Sequence, residues 1–334
     1  MLRWILSLQK PLIRSNQKRL YAQLTYRRFN NNRGNDFRSF LFDPKSRKYI
    51  GIAAGGGSIF YLTHLEEAPV SGRRRFIWIP PYLESKIGNY TYKSILSQTQ
   101  NAILPQNDRT TQRVSRVFSR ILEAAYKDPT VDKSVLEGIN WKVHVVNDPQ
   151  APPNAFVLPG GKVFVFSSML RICENDDGLA TVLSHEFAHQ LARHTGENLS
   201  KAPIYTALSI LLYTLTGVDT FNSILLDGLI KMPASRQMET EADYIGLMIM
   251  SRACFNPDES IQLWKRMAEF EKRSMRGAAN FEFLSTHPAS ERRIENMRDW
   301  LNDAHRLYNE ADCAAMSQHW QQWKNMSPVS LGVF

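Results

Sequence analysis

The chain has 334 residues and a formal net charge of +9, from 41 Lys and Arg against 32 Asp and Glu. Eight of those positive charges lie in residues 1–35, which contain no acid, so the rest is nearly neutral and offers no basic surface for nucleic acid. Three cysteines, Cys173, Cys254 and Cys313, are too few for a disulfide scaffold or a cysteine zinc site. A single bridge among them stays open, and their spacing does not pair it.

Arg3, Lys10, Arg14, Lys18, Arg19, Arg27, Arg28 and Arg33 stand among apolar Leu2, Trp4, Ile5 and Leu8. Basic, acid-free and able to form an amphipathic helix, residues 1–35 have the composition of a mitochondrial presequence, with a disordered basic tail binding nucleic acid or lipid as the alternative. Tyr49 to Leu65 then runs for 17 residues without Lys, Arg, Asp or Glu. That is the short edge of the roughly 17–25 residues that span a bilayer. Gly55, Gly56 and Gly57 weaken it as a lone helix but suit close packing against another membrane helix. Lys45, Arg47 and Lys48 precede it and Glu66 and Glu67 follow, which orients an anchor with its N-terminus in the matrix. A second part of the sorting signal or a buried glycine-rich loop is the competing reading. Residues 36–82 are thus read as anchor (49–65) and linker, 83–309 as the folded domain and 310–334 as a tail.

Within the folded part, Val114, Val117, Phe118, Ile121, Leu122 and Ala125 form one stripe behind an Asn107-Asp108 cap, which predicts an amphipathic helix. Trp141, Val143 and Val145 alternate as a strand. Asn154 to Phe166 reads as two strands about a Pro159-Gly-Gly161 turn. Asn175-Asp-Asp opens a further helix, along which Leu179, Val182, Leu183 and Phe187 recur at helical spacing.

That helix carries His185-Glu-Phe-Ala-His189. Two histidines four apart share one helix face and can offer two nitrogens to a single Zn²⁺, while Glu186 can reach a water without binding the ion. A third protein ligand is then expected from another helix. Ser235 to Gly246 offers Glu239 with Asp243 four residues on, and Glu241 as a competitor about 200° around the helix. Between the two helices, Ala202 to Val218 carries no charge and Phe221 to Ile230 is broken only by Asp227. Residues 202–230 read as an apolar hairpin that either meets the membrane or forms a buried core helix. Beyond lie a helix from Asn256-Pro257, the segment His287-Pro288, and a capped helix to Asn309 with Ile294, Met297 and Leu301 inward. His194 supports only a structural reading.

The strings Ser184-His-Glu-Phe-Ala-His189, Met238-Glu-Thr-Glu-Ala-Asp243 and His287-Pro-Ala-Ser-Glu-Arg-Arg293 resemble the gluzincin family that includes the prenyl-protein endoprotease and the bacterial heat-shock protease HtpX. The resemblance covers roughly residues 84–305. It implies a mostly α zincin-type metallopeptidase domain with a small β-sheet, built on the His-Glu-x-x-His helix and the Glu-x-x-x-Asp helix. It also implies one Zn²⁺ per chain on His185, His189 and Glu239, with Asp243 bonding a ligand imidazole from behind. Asn154 and Ala155 would lie on the strand that takes the substrate backbone, and His287 would donate to the oxyanion beside the base Glu186.

With an acid-free presequence and one membrane segment, the chain is similar to the family's stress-activated mitochondrial inner-membrane members. That implies ATP-independent cleavage of inner-membrane protein substrates by a homo-oligomer at the lipid bilayer, its catalytic domain facing the intermembrane space. No Gly-x-x-x-x-Gly-Lys-Ser/Thr string occurs, so no nucleotide is expected. The alternative is a catalytically idle scaffold or assembly factor of the same fold, which would have no need of Glu186. A prenyl-protein-type enzyme would need more membrane spans than two or three marginal apolar runs supply.

Overall fold

A computed structural model describes residues 43–216, 232–276, 283, 287, 288, 290–311 and 313. The expected presequence, the second half of the apolar hairpin and the tail after residue 313 lie outside the described residues. Two compact units divide the chain at Ile59 and Phe60. Helix α1, Pro44–Thr63, carries the charge-free stretch and has no buried residue. It takes in Lys45, Arg47 and Lys48 at its start and Gly51, Gly55, Gly56 and Gly57 in its middle, which dilutes its apolar character. Among the described residues no helix is long and apolar enough to cross a membrane.

Strands β1, Leu65–Glu67, and β2, Arg74–Phe76, form an antiparallel hairpin with Leu65 opposite Phe76. The stretch read as a linker is packed here: Ala68, Arg75, Phe76 and Ile77 are all buried. Arg75 donates to the Ala192 carbonyl, and Trp78 Nε1 donates to the Ser200 carbonyl at 3.1 Å. Helix α2, Pro81–Thr99, begins on a proline, whose missing N–H costs nothing in a first turn. Helix α3, Arg109–Lys127, is capped by Asp108, which accepts from the Thr110 N–H at 2.7 Å. Every member of its expected apolar stripe is buried.

Strands β3, Lys142–Val146, β4, Ala155–Leu158, and β5, Lys162–Phe166, make a sheet of order β3-β5-β4. The pair β3-β5 is parallel and β4-β5 antiparallel, leaving β4 on an edge. The β4-β5 turn needs its glycines: Gly160 and Gly161 have φ of 88° and 82°, and a Cβ on Gly161 would lie 2.3 Å from Ile139 Cγ2.

Helix α4, Ser167–Cys173, leads into α5, Asp176–Leu191, whose N-cap Asn175 accepts from the Gly178 N–H at 2.7 Å. Residues 178–188 of α5 are buried on all sides, so it is the central element of the domain. Helices α6, His194–Thr216, α7, Met232–Arg252, α8, Asp258–Arg276, and α9, Glu291–Glu310, complete the chain. Helices α3, α7 and α8 and strand β4 pack on α5, while α9 packs on α7. Phe118, Trp141 and Phe187 meet with ring centroids 5.3–5.8 Å apart and tie α3 and the sheet to α5. At Gly246 helix α7 comes so close to α5 that an added Cβ would stand 3.0 Å from the His185 nitrogen. A disulfide joins Cys254, after α7, to Cys313, after α9, and Cys173 remains a buried thiol.

Candidate metal centre

The burial of α5 fixes both histidines on its α7-facing side. Their Nε2 atoms lie 3.2 Å apart, and Glu239 of α7 brings Oε2 to 3.3 Å from His185 Nε2 and Oε1 to 3.4 Å from His189 Nε2. His287 joins them, its Nδ1 3.0 Å from each Glu239 oxygen and 3.3 Å from His185 Nε2. One donor atom from each of His185, His189, Glu239 and His287 lies within 4.8 Å of the others.

These donors fit a small divalent cation. Nitrogens at about 2.0–2.1 Å from one tetrahedral ion stand about 3.3 Å from each other, close to the separation between the two helix imidazoles. Two imidazoles and one carboxylate also form a nitrogen and oxygen donor set of the kind zinc accepts. Glu241, the competing acid, points elsewhere and accepts hydrogen bonds from Ser71, Arg73 and His194.

Behind the donors stand two different supports. His185 Nδ1 lies 3.1 Å from Asp243 Oδ1, close although out of line for an ideal hydrogen bond. Asp243 in turn is gripped by Arg293, with Nε and Nη2 each 2.6 Å from an oxygen. Arg293 Nη1 also reaches Glu239 Oε2 at 3.2 Å, and its guanidinium lies 3.7 Å over the Trp264 ring. On the other side, His189 Nδ1 faces the imidazole of His194 at 2.8 Å. Arg293 stands in the His287–Arg293 segment with no role legible from sequence, and His194 has none near the metal until the chain is folded. The pairing of an Arg fork with a buried carboxylate is invisible until the two helices are folded together.

The unequal supports divide the two histidines electrostatically. Burial alone would push His185 down, but the Asp243 and Glu239 carboxylates beside it raise it to about 9. Burial takes His189 down to about 3, because Glu239 compensates only in part. Glu239 is held far below the ordinary carboxylate range, its burial outweighed by the surrounding imidazoles. Glu186 moves the other way: buried, it is pushed up, with His287 and His185 opposing. Its Oε1 has no hydrogen-bond partner among the described residues and lies 3.5 Å from His287 Nε2. A carboxylate with a free oxygen and a raised pKa beside a cation site suits a proton acceptor.

The expected substrate strand is β4, the sheet edge packed on α5. Asn154, 8% exposed, accepts from the Phe166 N–H at 2.9 Å, and Ala155 is buried opposite Val165.

Residues 109–301 match peptidase family M48. The chain is 62% identical over 306 residues to the mitochondrial metalloendopeptidase OMA1 of Saccharomyces cerevisiae, covering 90% of this chain and 89% of that one. It is 39% identical over 281 residues to the protein of the same name from Schizosaccharomyces pombe, covering 83% and 79%. It is also 29% identical over 162 residues to the beta-barrel assembly-enhancing protease of Escherichia coli, covering 45% of this chain and 32% of that one.

Proposed function

The chain belongs to peptidase family M48, and from that premise we propose that it is a zinc endopeptidase with His185, His189 and Glu239 as the zinc ligands and Glu186 as the base. It is a mitochondrial metalloendopeptidase, acting on protein substrates. The observation that carries the site assignment is the convergence of two Nε2 atoms and both Glu239 oxygens on one point, with a free Glu186 oxygen beside them.

Zinc, when bound, supplies a Lewis acid and lowers the pKa of a water to about 7. Glu186 takes the proton of the attacking water and later delivers it to the leaving amine. His287 Nε2, on the Glu186 side of the cluster, donates to the developing oxyanion. Asp243 holds the His185 ring so that Nε2 stays directed inward. Asn154 and Ala155 on β4 pair with the substrate backbone as an added strand.

The inner membrane is the site of action in this reading, with the catalytic domain on the intermembrane-space side. The basic residues ahead of the apolar stretch of α1 favour that orientation. So does the Cys254–Cys313 disulfide, since such bonds persist in oxidising surroundings. Helix α6 adds a second membrane contact: over residues 202–210 it leaves apolar side chains uncovered, with Ile204 45% and Ile210 60% exposed. That exposure weighs against the buried-helix reading of residues 202–210. Substrates are inner-membrane proteins whose unfolded or flexible loops reach the cleft, and the enzyme works as a homo-oligomer.

The test is zinc content per chain together with Glu186→Gln. The variant should keep its zinc and lose about 10²–10⁴-fold or more of its proteolysis of an unfolded membrane substrate. Near-full activity in this variant would remove Glu186 as the base, and a zinc-free wild type would remove the metal centre.

A further inference from the structure

We propose that His194 is a positioning residue for His189, and that Arg73 of the β1-β2 hairpin fixes it through Glu241. The inference rests on the metal centre proposed above and extends it to residues that touch no ligand atom of the ion. His194 opens α6 directly after Arg193, whose left-handed backbone (φ 52°) turns the chain back toward α5. Arg193 is held in that turn by Glu84 and by the Ile79 carbonyl at 2.7 Å. His194 is thereby buried, 2% exposed, with Nδ1 2.8 Å from His189 Nδ1 and Nε2 3.0 Å from Glu241 Oε2.

Two imidazole nitrogens at 2.8 Å require one N–H and one lone pair, and the surroundings decide which is which. Glu241 is an ionised acceptor: Ser71 Oγ donates to it at 2.6 Å, and Arg73 donates from Nε at 2.9 Å and from Nη2 at 3.2 Å. A carboxylate so occupied can only accept from His194, which places the His194 proton on Nε2. A neutral His194 then has its lone pair on Nδ1, and His189 donates its own Nδ1–H to it. That leaves the His189 lone pair on Nε2, which faces His185 and Glu239. The opposite arrangement would set a His194 lone pair against a carboxylate in a dry site. The chain of contacts therefore selects the one tautomer of His189 that can ligate through Nε2.

The origin of this order is remote in sequence. Arg73 lies 168 residues before Glu241 and is itself clamped by buried Glu197, at 2.7 Å from Nη1 and 2.8 Å from Nη2. It stands in the hairpin that follows α1, at the end of the β1-β2 turn. Docking of this hairpin is thus part of the metal centre, although no hairpin residue belongs to the donor cluster.

The experiment measures the zinc dissociation constant of the full-length, detergent-solubilised protein by competition with a chromophoric chelator. Histidine ¹⁵N spectra of the zinc-free protein are read alongside. His194→Ala and Arg73→Met should each weaken zinc binding by about 10–100-fold. His194→Gln should recover most of that loss, because its amide can accept from His189 and donate to Glu241. His189 should carry its proton on Nδ1 in the wild type and populate both tautomers in His194→Ala. Wild-type zinc affinity in folded His194→Ala and Arg73→Met proteins would overturn the proposal, as would an Nε2-protonated His189 in the wild type. Should either of those variants fail to fold, the contrast falls to His194→Gln: near-wild-type affinity supports the proposal, and a loss of 10-fold or more overturns it. A wild type that binds no zinc would instead remove the metal centre itself, an outcome separate from equal binding by wild type and variants.

Discussion

Arg293 meets Asp243 through two parallel contacts, Nε to Oδ2 and Nη2 to Oδ1, each 2.6 Å long, and neither side chain is more than 6% exposed. Asp243 stays ionised although burial alone would raise its pKa, because the guanidinium holds it down. The pair joins α9 to α7, and Arg293 Nη1 also reaches Glu239 Oε2, the oxygen that faces His185. Arg293→Met leaves two buried carboxylates without their cation, and we expect a loss of about 3–5 kcal/mol of stability. Arg293→Lys should restore little, since a point charge cannot make both contacts at once. Thermal or urea denaturation of zinc-free protein checks this, and a Lys variant as stable as wild type would contradict it.

Acid should unfold the domain through Glu241 and Asp243. Glu241 is buried, which would raise it, but hydrogen bonds from His194 and Arg73 take it from the ordinary 4.5 to about 2, and Asp243 is lowered as well. A group whose folded pKa is depressed stabilises above its unfolded value and ceases to do so as pH falls through the folded one. Near-UV circular dichroism should therefore be flat at neutral pH and fall between 4.5 and about 2. Arg73→Met should move that fall to higher pH; an unchanged acid transition would show that Arg73 does not hold Glu241 ionised.

Thiol chemistry gives a third expectation. Cys254 and Cys313 are joined, while Cys173 is wholly buried, which pushes its thiol up to about 12. Native protein should resist alkylation at pH 7–8. Unfolding without reductant should expose one reactive thiol per chain, and unfolding with reductant three, as counted by mass spectrometry. Prompt alkylation of the native protein would contradict the packing of α4 against α5.

Membrane contact by α6 can be read without removing any part of the chain. A photoactivatable lipid probe in liposomes should label residues 202–210, where Ile204 and Ile210 stand exposed, and Ile204→Ser with Ile210→Ser should reduce that labelling severalfold while zinc stays bound. Labelling confined to α1 would return this part of α6 to solvent.

The parts legible in the sequence were those encoded locally. A four-residue spacing puts His185 and His189, and again Glu239 and Asp243, on single helix faces. Asn175 and Asp108 announce helix starts within three residues of the N–H groups they cap. What stayed hidden depends on separation. Arg73-Arg-Arg75 lies in the stretch read as a linker, yet Arg75 is buried and Arg73 meets its partners 124 and 168 residues further on. Three cysteines offer three pairings, and only the packing of α9 against α7 selects Cys254 with Cys313. Glu239 and Glu241 differ by half a helix turn, so family resemblance chose between them, and geometry shows what each one faces.

The hairpin at Arg73, the imidazoles on α5 and α6, the acids of α7 and the His287–Arg293 segment come together from widely separated stretches of one chain. A chain made N-terminus first delivers Arg73 early and His287 and Arg293 near the end. A chain folded only as far as α8 leaves Glu239 and Asp243 without their cationic partner and the donor cluster without its fourth member. The cluster is therefore assembled last, when nearly the whole domain is in place.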